Sequence, residues 1–310
     1  MMECGILFGR FNRFVNSPVA VYNNPYSGTA EAYNLPFNMN TFYRLFGVVT
    51  PGGAKQIIKQ EVHDAWDTKG GRYGRKPKNL KEQAISLVGT TIFEKLIKGY
   101  TEKQWGRSCE ELPPEIIKRI PLRFTYDNDY FGDRHQGIPV DGYTALVQNM
   151  LDGIEVRLGI PYAKCGSIAH NVIYTGSIDE YFDYMLGMLQ YRSLSFDTRW
   201  SYMDNYQGNA VINYTSAQIP NTRTIEHCHF DEARVHNGTI ITDEYPCEWS
   251  IGRERYYPIN DRRNVELYKR YKKLAEDTNT VFCGRLGEYK YYNMDQTIAK
   301  ALTLAKAMCK

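Results

Sequence analysis

The sequence predicts a mixed α/β protein: part of a parallel, nucleotide-binding type of fold, an inserted helical region and an antiparallel sheet. Three observations point there. The last thirty residues read as a strand at Val281–Cys283, a turn at Gly284-Arg285-Leu286-Gly287 and an amphipathic helix running to Lys310. The GxGxxG turn with which such folds accept a pyrophosphate occurs nowhere in the 310 residues, so the first βαβ unit is expected to be missing. Helical periodicity dominates the first half of the chain and strand-like runs the second.

Val19–Tyr22 and Tyr33–Pro36 read as short strands joined by the turn-rich Asn23-Asn-Pro-Tyr-Ser-Gly28. Two helical stretches follow, the second after Thr50-Pro51, and then a basic, glycine-rich connector at Lys69–Lys78. A long helix is expected from Leu80, with Asn79 as its cap and Glu82 completing a capping box. Ala84, Val88, Ile92 and Leu96 recur every four residues as its buried stripe. Pro113-Pro114 opens a short helix bounded by Pro121. From Ile154 the pattern turns β-rich, with Ser177 and Glu180 as a second capping box. Strands are expected at Ser193–Tyr202, Ala210–Tyr214, Arg223–Phe230 and Thr239–Tyr245, a charged helix at Asp261–Glu276 and a strand at Thr280–Cys283. The corresponding domain boundaries are 1–36, 37–140, 141–260 and 261–310.

Thirty-eight basic residues against 35 acidic ones give no electrostatic argument for nucleic acid. Seven cysteines without a CxxC suit reduced thiols in a cytoplasm. No run approaches the roughly 20 apolar residues of a membrane span, and the N-terminus lacks the features of a signal peptide. Twenty-five tyrosines suit either a Tyr-rich core and surface, the commoner case, or a site that packs and hydrogen-bonds a polar ligand.

Common hydrolase and kinase signatures (GxSxG, HExxH, the P-loop) are absent. His227 and His229 would share one side of a strand, but no third ligand has a defined spacing, so no metal site is expected. What remains is a set of arginines and tyrosines among turns: Arg119, Tyr130, Arg192, Arg223, Tyr257, Arg285 and Tyr291. Guanidinium forks match phosphate oxygens, and tyrosine hydroxyls add neutral donors, as a diphosphate requires.

Seven blocks in order resemble the UDP-galactopyranose mutase family: Pro36–Asn40, Gly99–Trp105, Arg119–Pro121 with Tyr126–Phe131, Tyr191–Leu194, Thr222–His227, Tyr256–Pro258, and Gly284-Arg285 with Tyr291–Asp295. The resemblance runs from about residue 11 to the C-terminus. It implies an incomplete Rossmann-like FAD-binding domain with an inserted helical domain and an antiparallel sheet domain. The implied activity is an isomerase interconverting UDP-galactopyranose and UDP-galactofuranose through a reduced-flavin N5–sugar adduct, with UDP as leaving group. The alternative is a silent, truncated fragment that at most binds UDP-sugars. Implied partners are UDP-galactose and UDP, with a homodimer as the possible assembly and no membrane span.

By the same resemblance, Arg119 and Arg223 are the diphosphate arginines, and Tyr130, Tyr257 and Tyr291 the tyrosines on the phosphates. Tyr100, Thr101 and Trp105, with Asn38 nearby, match the uridine pocket, and Arg192 and Asn213 the sugar end. Gly284, Arg285 and the turn Tyr292-Asn293-Met294-Asp295-Gln296-Thr297 match the segment that meets FAD. Leu96 and Ile97 stand where some members carry aromatics, and Asn293 where others carry Asp. Without the GxGxxG turn, Arg285 and one helix end are left to meet the pyrophosphate.

Overall fold

The computed structural model describes residues 8–67, 76–117, 122–165, 169, 171–231 and 237–309. The chain divides into two compact units. The first comprises Met1–Asn12, Gly137–Ser193 and Trp249–Lys310, and the second Arg13–Gln136 and Leu194–Glu248.

In the second unit, β1 (Val19–Asn23) and β2 (Ala30–Asn34) form an antiparallel hairpin. The Asn24 side chain closes its turn by accepting from the Tyr26 N–H, and Gly28 takes the left-handed conformation the turn requires. Helices α1 (Met39–Phe46), α2 (Pro51–Asp67) and α3 (Leu80–Ile92) follow. Asn79 accepts from the Glu82 N–H at 3.0 Å, whereas the Glu82 carboxylate reaches the Lys78 N–H rather than closing the box on Asn79. The predicted stripe Ala84, Val88, Ile92 and Leu96 is buried in a core shared with Phe42, Ala54 and Phe93.

The sheet of this unit runs β2-β1-β5-β6-β7-β4, with β4 at Tyr191–Ser201, β5 at Val211–Tyr214, β6 at Arg223–Glu226 and β7 at Thr239–Glu248. β1 meets β5 in parallel, while β5–β6 and β6–β7 are antiparallel. The strand expected to reach Phe230 stops at Glu226. His227–Phe230 instead forms a 3₁₀ turn, because Glu226 turns its carboxylate onto the N–H groups of Tyr206 and Gln207.

In the first unit, α5 (Gly142–Met150) was not anticipated from the sequence. Among the described residues from 154 to 171 there is a 3₁₀ turn at Tyr162–Lys164 and no strand. β3 (Val172–Tyr174) pairs in parallel with β9 (Thr280–Phe282), the strand the C-terminal pattern predicted. Ser177 does not cap α6 (Ile178–Tyr181); its hydroxyl goes to Asp179 and to Tyr191. The first residues of β4 pair with β8 (Tyr257–Pro258). Helix α7 (Arg262–Ala275) starts at Asp261, which accepts from the Asn264 N–H. It packs Leu267 and Tyr271 against Ile178, Leu189, Tyr191 and Tyr289. The buried tyrosines are satisfied: the Tyr271 hydroxyl donates to Gly187 O and that of Tyr289 to Gln190 O. The short α8 (Gly284–Gly287) and the long α9 (Met294–Met308) close the chain.

Candidate functional site

The second unit places its predicted residues by a break in α3. Gly89 adopts φ +82°, and the carboxylate of Glu61 enters there to accept the N–H and hydroxyl of Thr91. A Cβ on residue 89 would lie 2.5 Å from that carboxylate. The helix resumes as a π-helical stretch at Phe93–Lys98 and then as α4 (Gly99–Trp105), which carries Tyr100, Thr101 and Trp105. Gly99 has to be glycine, since a Cβ would sit 2.3 Å from Thr215 O. Lys103 fixes the same approach by donating to the carbonyls of Tyr214, Ile219 and Asn221.

Beneath α4 the strand registers align three polar residues. Asn213 lies opposite Arg223, and Arg223 opposite Glu244. The Arg223 Nε is 3.1 Å from Glu244 Oε1, and its Nη2 donates to the Tyr100 hydroxyl at 3.2 Å. Glu244 is almost wholly buried and also accepts from the Thr222 hydroxyl. Burial raises the Tyr100 pKa, an effect the Arg223 cation partly offsets, so the phenol stays protonated. The result is a guanidinium held from two sides on a rigid sheet, with a neutral hydroxyl beside it.

Tyr130 is half-exposed, its ring edge-on to Phe131 and its N–H bonded to Asn16 O. Asn38 is fully buried as the cap of α1. Its carbonyl oxygen accepts from the N–H groups of Asn40 and Thr41, and its amide donates to Asp127 O and Asn128. That amide therefore anchors the segment leading to Tyr130. Leu96 and Ile97 pack into the helical core. Arg119 lies outside the described residues.

The first unit brings together other predicted residues. The Tyr257 ring stacks on Tyr291 at 5.5 Å, and the Arg285 guanidinium lies over the Tyr291 ring at 4.8 Å while donating to Tyr256 O. Arg192, buried on β4, is in register with Tyr257. Gly284 takes φ +82° at the start of α8, and Gly287 brings that helix against Tyr174 O, where a Cβ would stand 3.0 Å away. At α9 the Asn293 and Gln296 side chains close a capping box, Thr297 bonds back to Asn293 O, and Met294 and Asp295 are exposed. Tyr292 is half-buried, its pKa raised by burial and then by Glu288.

Sequence reasoning missed Glu244 and Lys103. Each carried a faint signal: an acid inside a strand-like run, and a lysine inside the Gly99–Trp105 block.

Residues 95–291 match the family described as UDP-galactopyranose mutase. A Klebsiella pneumoniae protein described as a probable UDP-galactopyranose mutase is 37% identical over 281 residues, covering 89% of this chain and 71% of that one. An Escherichia coli dTDP-fucopyranose mutase is 34% identical over 291 residues, covering 90% and 75%. A crystal structure of reduced UDP-galactopyranose mutase superposes with a TM-score of 0.63 at 13% identity, covering 98% of this chain and 81% of that one.

Proposed function

Because the chain belongs to the UDP-galactopyranose mutase family, an isomerase family, we propose that it interconverts UDP-galactopyranose and UDP-galactofuranose. The observation that carries this reading is Arg223, clamped between Glu244 and Tyr100 on the sheet. Relatives named as mutases support catalysis over a silent, UDP-binding remnant.

Ring exchange breaks the bond between the anomeric carbon and the diphosphate oxygen and later re-forms it, with no net redox change. Charge therefore develops on the leaving diphosphate, and a fixed guanidinium stabilises it without reorganising. Glu244 sets the plane of Arg223, and the protonated Tyr100 hydroxyl offers the neighbouring dipole. Thr101 and Trp105 on α4 are proposed for the uridine, Asn213 and Arg192 for the sugar, and Tyr130, Tyr257 and Tyr291 as phosphate donors. Arg119 is proposed as the second diphosphate arginine.

Family membership implies a flavin. The residues present fit part of one: the left-handed turn at Gly284 leaves open space for a close approach, the guanidinium of Arg285 is adjacent, and the first turn of α9 is exposed. We assign Gly284, Arg285 and Tyr292–Thr297 to FAD, and include a homodimer and a cytoplasmic location in the proposal. Held by these residues in its reduced form, a flavin would supply an electron pair for the exchange at the anomeric carbon. Among the described residues, no helix is long and apolar enough to cross a membrane.

The test is chromatographic. The chain, supplied with FAD and reductant, is incubated with UDP-galactofuranose and, separately, with dTDP-fucofuranose. UDP-galactopyranose should appear faster than the fucose product. Turnover of the dTDP-sugar alone would transfer the chain to the specificity named for its Escherichia coli relative, and turnover of neither by the folded chain would refute the function.

A further inference from the structure

We propose that Glu226, Cys228 and His229 form a divalent-metal site suited to zinc, at the end of β6 and apart from the Arg223–Tyr100 group in the same unit. One ligand atom from each of the three residues lies within 4.8 Å of the others. Glu226 Oε2 is 3.1 Å from His229 Nε2, and Cys228 Sγ is 3.4 Å from Glu226 Oε1. Ligands at about 2.0–2.3 Å from a tetrahedral zinc are separated by roughly 3.3–3.6 Å, and the two contacts, one to each Glu226 oxygen, hold both partners at about that separation from the carboxylate.

The environment asks for a cation. Glu226 is fully buried, yet among the described residues no lysine or arginine pairs with it, and the basic side chain beside it is His229, its Nε2 at 3.1 Å. Its two oxygens each accept one backbone N–H, from Tyr206 at 2.6 Å and from Gln207 at 2.8 Å, and hydrogen bonds of this kind steady a metal-binding carboxylate. The His229 side chain is one-quarter exposed, which leaves a route from solvent. His227 is not a ligand, because its Nε2 is engaged with the Thr242 hydroxyl.

Loading balances simply. The hydrogens now shared by Glu226 with Cys228 and His229 mark where the ion would sit. The Cys228 thiol proton leaves to solvent, and the ring proton of neutral His229 moves through solvent from Nε2 to Nδ1, so that Nε2 binds the ion and one proton is released in all. Carboxylate plus thiolate then neutralise the dication. Water would complete the fourth position. A mixed sulfur, nitrogen and oxygen set selects zinc over magnesium or calcium. The ion would tie the His227–Phe230 turn to the loop carrying Tyr206 and Gln207.

The full chain, stripped with chelator, is titrated with cobalt chloride and then zinc chloride. One cobalt should bind per chain with a thiolate-to-cobalt charge-transfer band, which zinc abolishes by displacement. Cys228→Ser should lose the band, His229→Gln should weaken binding about tenfold or more, and Cys283→Ser should change nothing. In the wild-type chain, zinc should slow alkylation of Cys228 but not of the exposed Cys309. This readout needs no variant to fold. Absence of a stoichiometric band, a band that survives Cys228→Ser, or Cys228 alkylated equally fast with zinc present would overturn the site.

Discussion

Replacing Arg223 by methionine separates the stability the guanidinium supplies from the catalysis it performs. Glu244 would keep the Thr222 hydroxyl at 3.1 Å and lose its cation, in a side chain only 7% exposed. Stranding one partner of a buried pair costs about 3–5 kcal/mol. Arg223 is itself 28% exposed, so solvent screening reduces this to roughly 2–3 kcal/mol. Thermal unfolding should then fall by about 4–12 °C. Turnover should fall further, because a charge-assisted contact to the diphosphate is worth about 1.5–3 kcal/mol, or roughly 10- to 150-fold in kcat/KM. The double variant Arg223→Met with Glu244→Gln removes the stranded charge and should recover most of the stability while recovering none of the activity. Calorimetry and a steady-state assay on the three proteins check both halves. A single variant as stable as the wild type, or a double variant with normal turnover, would refute the reasoning.

Gly89→Ala should destabilise by about 1–3 kcal/mol in chemical denaturation, since φ +82° strains any side chain and the added Cβ meets Glu61. Normal stability would mean the break in α3 relaxes without cost. Asn38→Ala removes the α1 cap and two amide bonds, and should cost about 2 kcal/mol. Unchanged stability with a raised KM would instead place that amide on the ligand. Glu31 has its pKa lowered from 4.5 to about 2, first by the Tyr33 hydroxyl and then by Lys95. A depressed acid contributes fully above its unfolded pKa and loses that contribution as pH falls through the folded one. The stability gap between wild type and Glu31→Gln should therefore be largest above pH 4.5 and shrink toward pH 2; a gap constant across that window would contradict the assignment.

The helical half was legible in the sequence because its signals are local. The Asn79 cap and the four-residue stripe each act within a turn or two of themselves. Where the reading failed, distant groups had intervened. Tyr191 draws the Ser177 hydroxyl from its expected cap, and the Tyr206–Gln207 backbone captures Glu226 and ends β6 early. The break at Gly89 depends on Glu61, in the preceding helix, and periodicity within α3 cannot report it. Within the candidate site, Arg223 stood out as an arginine among turns, and Tyr100 and Asn213 came from the family resemblance. Their alignment with Glu244 depends on strand register, which a single sequence leaves open.

In the proposed function, this chain's residues hold a diphosphate while its bond to the anomeric carbon opens and closes. A heavy-oxygen label placed in the bridge between the sugar carbon and the β-phosphorus of UDP-galactopyranose tests it directly. With the reduced, FAD-supplied chain, nuclear magnetic resonance of the recovered substrate should show the label scrambled into the non-bridging β-phosphate positions, and scrambling should collapse in Arg223→Ala. Label that stays in the bridge while the sugar isomerises would contradict the account.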